Sequence, residues 1–262
     1  MDKSSLLDKI AQTEEDRILL ARVFDKITAG ERKNIPAFTC FLTKREQLLA
    51  AQMLRGIPLT FFGGAKEAER CVCCYLPDYL EEDVLKEADF SPIAAVRAEF
   101  YEADDLSHRD FLGSLMGCGI KRETVGDIHV SRGKCDFVVT KEILPYVLQN
   151  LISAGRTKLH LREIGLDEIS VPEQDMHEIR TTVSSLRLDS VMGSGFGLAR
   201  AKAAAAIESG KVTLNDMPCV KPDKPVAEGD KIALRGMGKI LLQSVGGKTK
   251  KDRLAIVIQR FG

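Results

Sequence analysis

Two basic side chains, Arg200 and Lys202, stand at the start of a predicted helix. A cation in the first turn opposes the helix dipole and costs about 0.3–1 kcal/mol. The same position presents free backbone N–H groups, which favour anions. An arginine there is therefore a poor choice for stability and a good choice for holding a phosphate. For any one of these residues, a solvated basic face is the alternative interpretation.

The elements that position these cations can be predicted from Ser185 to Arg235. A short helix with Leu188 on its apolar face is followed by a loop over 194–197 and a second helix over 198–209, which ends at Gly210. Short strands are predicted over 211–215 and 231–235. The second helix is expected to face inward through Ala199, Ala203, Ala206 and Ile207. Further basic residues surround it in the sequence: Arg187, Lys211, Lys221, Lys224, Lys231, Arg235 and Lys239.

A second basic loop runs from Gly246 to Arg253, ahead of a closing strand over 254–261. It carries four cations and two glycines at the tip of a predicted hairpin, a pattern that favours phosphate contact over a plain surface loop. These cations are Lys248, Lys250, Lys251 and Arg253.

The order of elements from Arg187 onward resembles an S4 RNA-binding domain. The matching pieces are Arg187-Leu188-Asp189, Ala199-Arg200-Ala201-Lys202-Ala203, Ser209-Gly210-Lys211-Val212, Leu214-Asn215, Lys221-Pro222, Glu228-Gly229-Asp230 and Leu234-Arg235-Gly236. That family usually has Ser at the position of Ala199 and Gly at the position of Asp216. Together with the second basic loop, the resemblance gives the expected RNA-binding set: Arg187, Arg200, Lys202, Lys211, Asn215, Lys221, Arg235, Lys239, Lys248, Lys250, Lys251 and Arg253.

Composition is that of a soluble globular protein of two or three domains. The chain has 262 residues, of which 44% are hydrophobic and 29% charged, and no apolar run approaches a membrane span. The first residues lack a signal-peptide pattern. Seven cysteines in no regular spacing favour a reducing cytosol, so we expect a cytoplasmic protein.

Net charge is zero, yet the charge is unevenly distributed. Residues 81–180 hold 12 Lys and Arg against 20 Asp and Glu, whereas residues 181–262 hold 14 against 7. A polyanion such as RNA is therefore expected to be drawn to the C-terminal third and repelled by the middle of the chain.

Residues 1–82 are predicted to form a small α/β domain with helices up to residue 33, a helix opened by Thr43, and strands over 37–42, 59–62 and 71–76. Cys71, Cys73 and Cys74 suggest a metal site, but no second Cys pair or nearby His completes a tetrahedral set. Buried strand thiols are the preferred interpretation, and we expect neither metal nor cofactor.

Residues 83–168 are predicted to alternate as βαββαβ, the ferredoxin-like order that RRM-like RNA-binding domains use. Only Phe100 and Phe137 are obvious candidates for stacking bases, and the region is acidic. His108 and His129 have no nucleophile in a recognisable motif beside them. A local basic group could make secondary RNA contacts: Arg109, Lys121, Arg122, Arg132 and Lys134. Residues 169–180 are predicted to be a polar linker into an S4 domain (αL-type) over 181–262.

Over nearly its full length the chain resembles YlmH-type proteins of Gram-positive bacteria. The matching motifs are Phe61-Phe62-Gly63-Gly64, Ser107-His108-Arg109-Asp110-Phe111-Leu112-Gly113, Gly119-Ile120-Lys121-Arg122-Glu123, Gly126-Asp127-Ile128 and Gly246-Gly247-Lys248-Thr249. The resemblance implies an α+β fold of three domains. It also implies a cytoplasmic RNA-binding protein whose partners are the large ribosomal subunit, its rRNA and peptidyl-tRNA, in quality control of stalled translation.

Two other functional classes compete with a non-catalytic RNA-binding factor. S4 domains often accompany pseudouridine synthases, but residues 1–180 show no catalytic motif for that reaction. A protein-interaction scaffold in cell division would make the basic surface incidental. Neither a membrane nor a small-molecule substrate is expected as a partner.

Overall fold

The computed structural model describes residues 2–172 and 176–261. The amphipathic segments at the start of the chain form two helices. The described residues fall into two units, called here the N-terminal unit, residues 2–172, and the C-terminal unit, residues 176–261. Three domains were predicted, and the boundary at residues 82 and 83 lies inside the N-terminal unit.

The first part of the N-terminal unit follows the sequence prediction closely, because local signals define its helices. Thr13 and Thr43 each make a reciprocal capping box, which fixes where two of its helices begin. Its three strands pair antiparallel in the order β1-β3-β2. The elements are α1 (Lys3–Ile10), α2 (Glu14–Lys33), β1 (Ala37–Leu42), α3 (Lys44–Met53), β2 (Thr60–Phe62) and β3 (Cys71–Tyr75).

The second part contains a four-stranded antiparallel sheet whose elements come in the predicted βαββαβ order. Its strand order is β5-β6-β4-β9, and a two-stranded hairpin of β7 and β8 precedes the last strand. Phe111 and Leu115 of α4 pack on one face of this sheet with Val147 of α5. The elements are β4 (Ile93–Glu99), α4 (His108–Gly117), β5 (Val125–Ser131), β6 (Lys134–Thr140), α5 (Leu144–Asn150), β7 (Ser153–Ala154), β8 (Thr157–Lys158) and β9 (His160–Ile164).

The other face of the four-stranded sheet is also covered. Ile93 of β4 and Val138 of β6 are buried in one cluster with Phe41 of β1, Val72 of β3 and Leu85, which lies between β3 and β4. The two sheets therefore share a core, which explains why the predicted boundary at residue 82 does not separate two units.

The C-terminal unit is a six-stranded antiparallel sheet packed on two helices. The strand order is β10-β15-β14-β13-β11-β12, and Met192 and Ile207 of the helices pack against Ile240 and Ile258 of the sheet. The elements are β10 (Met176–Val183), α6 (Leu188–Phe196), α7 (Arg200–Glu208), β11 (Val212–Leu214), β12 (Met217–Pro218), β13 (Lys231–Leu234), β14 (Gly238–Lys248) and β15 (Leu254–Phe261).

The predicted linker over 169–180 is wrong for its last residues, because β10 begins at Met176 and pairs along its whole length with β15. Residues 173–175 of that linker lie outside the described residues. Leu166 and Ile169, at the other end, pack against the core shared by the two sheets. A polar sequence did not indicate a strand here because β10 lies at the sheet edge and has one paired neighbour.

Three local expectations in the C-terminal unit are also corrected. The predicted loop over 194–197 belongs mostly to α6, which continues to Phe196 and ends at Gly197 with φ of 67°. Gly195 sits where a Cβ would approach Ile240 Cδ1 to 2.5 Å, so the helix lies close to the sheet. Ala199 is exposed rather than inward-facing, and 246–248 end β14 instead of opening a loop.

Candidate nucleic-acid interface

Helices α6 and α7 bring two arginines onto one buried carboxylate. Arg187 caps α6 and bonds Asp189 through both of its oxygens, with Nε to Oδ1 at 3.2 Å and Nη2 to Oδ2 at 3.0 Å. Arg200, the first residue of α7, donates from Nε to Asp189 Oδ2 at 3.1 Å. We call these three residues the Asp189 cluster. Arg187 and Asp189 are close neighbours in sequence, whereas Arg200 lies eleven residues beyond Asp189 and reaches it only because α6 and α7 pack together.

In the Asp189 cluster the carboxylate is buried, whereas the two arginine side chains are exposed to solvent. The carboxylate side chain is 4% exposed, whereas the side chains of Arg187 and Arg200 are 40% and 57% exposed. Burial alone would raise the pKa of Asp189, but the hydrogen bonds from Arg187 and Arg200 outweigh it and lower that pKa. The aspartate is therefore ionised at neutral pH, and the cluster keeps one net positive charge that faces solvent.

This geometry corrects the expectation for Arg200. The sequence presented it as a cation opposing the dipole of α7 with only a phosphate to compensate. The structure gives it a buried anion from α6 as a partner, so removing Arg200 is expected to destabilise the fold rather than to relieve an unfavourable charge.

The loop before the β13 strand is tied to the same place. Leu188 N donates to Lys224 O and Asp189 N to Pro222 O, both at 2.9 Å. These bonds hold the exposed Lys221 and Lys224 next to the start of α6. Lys224 was not in the expected RNA-binding set, but the fold places it in one turn with Lys221, which was.

The remaining predicted cations of the C-terminal unit lie in two further groups. Lys211 accepts a backbone bond from Arg235 N at 3.0 Å, so these two residues and Lys239 lie around the turn between β13 and β14. The β14–β15 turn carries Lys248, which pairs with Asp252 at 2.7 Å, and the exposed Lys250 and Lys251. Arg253 donates from Nε to Thr182 Oγ1 at 2.9 Å, which ties this turn to β10.

Asn215 has a structural task that the sequence did not indicate. Its Nδ2 donates to Asp230 Oδ1 at 2.8 Å, and its Oδ1 accepts from Lys231 N at 2.9 Å. With Asp216 it forms the turn between β11 and β12, where both residues have positive φ. Both ends of its amide are used within the fold.

Neither of the two candidate aromatics for stacking bases in the βαββαβ region is an exposed side chain. Phe137 is fully buried in the core on the helix side of the sheet. Phe100 packs against Phe111 of α4 with ring centroids 5.8 Å apart. On the opposite face, Arg97 and Asp136 form a bidentate pair, and Ser170 N donates to the same aspartate at 2.8 Å. The sheet face is therefore closed to a base.

The secondary basic group divides into exposed and structural members. Arg109 and Lys121 are exposed, Lys134 is half-buried, and Arg132 pairs with Glu102 at 3.6 Å while remaining 81% exposed. Arg122 instead donates to Val125 O at 2.6 Å and to Gly126 O at 3.3 Å. Burial and the nearby charge of Arg70 lower the pKa of Arg122 to about 10, which identifies it as part of the fold.

His108 and the strand cysteines are in surroundings that favour their neutral forms. Burial and the charge of Arg122 lower the pKa of His108, which favours its neutral form. Cys71, Cys73 and Cys74 are buried as expected for strand thiols, and burial raises the pKa of Cys73 to about 12. Within residues 2–172 and 176–261, no group of His, Cys, Asp and Glu is arranged to hold a metal ion.

None of the helices in the described ranges is both long and apolar enough to cross a membrane.

Comparisons with known proteins point to one family. A family model described as "Putative RNA-binding domain in YlmH" matches residues 96–168. The chain is 33% identical over 225 residues to "Ribosome-associated protein quality control protein P2" of Bacillus subtilis (strain 168), covering 85% of this chain and 86% of that protein. A solved structure, "Cell division protein ylmH from Streptococcus pneumoniae", is similar with a TM-score of 0.50 at 20% identity, over 60% of this chain and 94% of that chain.

The fold and the exposed arginines define a mixed α/β protein of several sheets with a basic surface at its C-terminal unit. At this identity and coverage, the chain belongs to the YlmH family.

Proposed function

We propose that this chain is a non-catalytic RNA-binding factor that acts on the ribosome, and that its C-terminal unit is an S4 domain that contacts RNA. The observation that carries the proposal is the Asp189 cluster, where two exposed guanidinium groups stand on a buried carboxylate. Guanidinium groups bind phosphate through several parallel hydrogen bonds. Residues 181–262, which contain the cluster, also hold 14 Lys and Arg against 7 Asp and Glu.

The ribosomal setting is supported by the relative named as a ribosome-associated quality control protein. We propose that this chain binds large-subunit rRNA and peptidyl-tRNA in the cytoplasm and assists the rescue of stalled translation. Lys202, Lys211, Lys221, Arg235, Lys239, Lys250 and Lys251 are exposed and would extend the contact beyond the Asp189 cluster.

The βαββαβ region is proposed to be a ferredoxin-like, RRM-like domain with an altered mode of binding. Its strand order and the family model over residues 96–168 support the assignment. Its sheet face is covered, so any RNA contact would use exposed side chains at its margins, Arg109, Lys121 and Arg132. Arg122 is not among them because its guanidinium is bonded to backbone carbonyls.

The proposal is tested with the full chain. Purified protein is sedimented with separate ribosomal subunits, and its affinity for large-subunit rRNA is measured by filter binding over a salt series. We expect association with the large subunit and a logarithm of affinity that falls linearly with the logarithm of salt. Absence of binding, or binding that salt does not weaken, would contradict the proposal. Nucleoside mass spectrometry of the same rRNA after incubation should show no new pseudouridine.

A further inference from the structure

Asp189 occupies a position that an RNA-binding surface would ordinarily avoid. A carboxylate repels phosphate, and this one lies between the two arginines that are most suited to bind it. Its side chain is almost completely buried, so it does not itself face a ligand. Instead, its two oxygens accept three hydrogen bonds from the guanidinium groups of Arg187 and Arg200.

The geometry points to Asp189 as a positioning residue. We infer that it orients Arg187 and Arg200 as a pair that binds one phosphodiester group of RNA, and this inference rests on the proposed function. Arg187 is bonded through Nε and Nη2, and Arg200 through Nε. A guanidinium group carries five N–H donors, so each arginine keeps further donors for a ligand. Holding the two groups in place reduces the side-chain entropy that RNA binding would otherwise cost.

A positioning role for Asp189 explains why its carboxylate is buried while Arg187 and Arg200 are exposed. A single Arg–Asp pair is neutral, whereas two arginines on one aspartate leave a net positive charge that is costly to bury. The surplus charge faces solvent, where a phosphate can neutralise it. The loop over 221–224 closes the acidic side through its bonds to Leu188 N and Asp189 N.

The decisive variant is Asp189→Asn, because positioning and bulk electrostatics predict opposite changes. Removing a negative charge makes the C-terminal unit more basic, which by itself should tighten RNA binding. Loss of the positioning carboxylate should instead weaken it, by about tenfold if one charge-assisted contact is lost. It should also lower the slope of log affinity against log salt by about 0.7–0.9.

Glu208→Gln is the matched control, since it makes the same charge change on an exposed residue at the other end of α7. Its affinity should stay within about twofold of the unmodified protein, because it changes charge without a positioning contact. All affinities are measured on the full chain, at a temperature where melting curves show each variant to be folded.

Arg187→Lys and Arg200→Lys provide a second test that keeps every charge. Lysine cannot reproduce the planar fork, so both variants should lose affinity. Arg180→Lys is the control, because the Arg180 side chain is 80% exposed in the same unit and lies outside the proposed contact, so its affinity should not change. These variants decide the question if Asp189→Asn fails to fold. The inference is overturned if Asp189→Asn binds as tightly as Glu208→Gln, or if both Arg187→Lys and Arg200→Lys bind like Arg180→Lys. Failure of the unmodified protein to bind RNA would instead refute the proposed function.

Discussion

Each unit contains a buried aspartate that accepts hydrogen bonds from arginine, but the two sites differ in how exposed the arginines are. Asp136 lies in the four-stranded sheet and bonds Arg97 Nε and Nη2, both at 2.7 Å. Its side chain is 1% exposed and that of Arg97 is 14% exposed. Ser170 N donates to the aspartate, and Glu168 O accepts from the arginine at 2.8 Å. All these contacts lie within the fold, so the pair fastens residues 168–170 across the sheet.

The Asp189 cluster differs in what surrounds the arginines. Its carboxylate is equally buried, but its bonds are longer, 3.0–3.2 Å, and its partners are two arginines that face solvent. A neutral pair can be enclosed, whereas a cluster with a surplus cation keeps its arginines at the surface. We therefore expect the exposure of the arginine, rather than the burial of the aspartate, to separate a pair that fastens the fold from the proposed binding surface.

The largest expected effect is on the fastening pair. Arg97→Ala leaves Asp136 buried with its charge uncompensated, and should lower the free energy of unfolding of the N-terminal unit by about 3 kcal/mol. Chemical denaturation of the full chain measures it. Arg162, opposite Arg97 in the sheet register, has a side chain 49% exposed, so Arg162→Ala should cost well under half as much. Equal losses of unfolding free energy in the two variants would mean that burial of the Arg97–Asp136 pair does not increase its contribution to stability.

The second effect separates binding from stability. Replacing Arg187 and Arg200 together with Ala should lower the slope of log RNA affinity against log salt by about 1.4–1.8, because the proposed interface would lose two cations that contact phosphate. Arg156→Ala with Lys158→Ala removes the same charge from the exposed β7–β8 hairpin and should leave the slope unchanged. A similar slope change in both double variants would show that only total charge matters.

Acid should destabilise both units through their buried aspartates. Burial alone would raise the pKa of Asp136, but hydrogen bonds from Arg97 and Ser170 N outweigh it and lower that pKa, as happens at Asp189. A folded-state pKa below the ordinary value of 3.8 gives stability that is present above pH 3.8 and is lost as pH falls through the folded value. Thermal melts from pH 7 to pH 3 should show a smaller acid-induced drop in Asp136→Asn than in the unmodified chain. An unchanged drop would exclude Asp136 as a contributor.

The smallest expected effect is at Arg132. Its ion pair with Glu102 joins side chains that are 81% and 70% exposed, so Arg132→Ala should change stability by less than about 0.5 kcal/mol. The same variant measures whether the βαββαβ region contacts RNA, since one lost phosphate contact lowers the salt slope by about 0.7–0.9. An unchanged slope would remove Arg132 from the proposed secondary contacts.

The sequence by itself determined the features that depend on neighbours along the chain. Thr43 with Glu46 three residues later located a helix start, and Gly210 located a helix end. Alternating apolar residues located most strands and the βαββαβ order, because side chains in a strand point to alternate faces. The basic character of the C-terminal third also follows from residue counts alone.

Only the tertiary structure decided which faces are covered and which charges have partners. Ile93, Ala94, Ala95 and Val96 form a continuous apolar run, a pattern of burial on both faces, but the run does not say that Phe41 and Leu85 provide the cover. The sequence placed Arg200 at a helix start, yet its partner Asp189 belongs to another helix and meets it only after α6 and α7 pack. Such contacts depend on distance in space, which periodicity and local spacing do not encode.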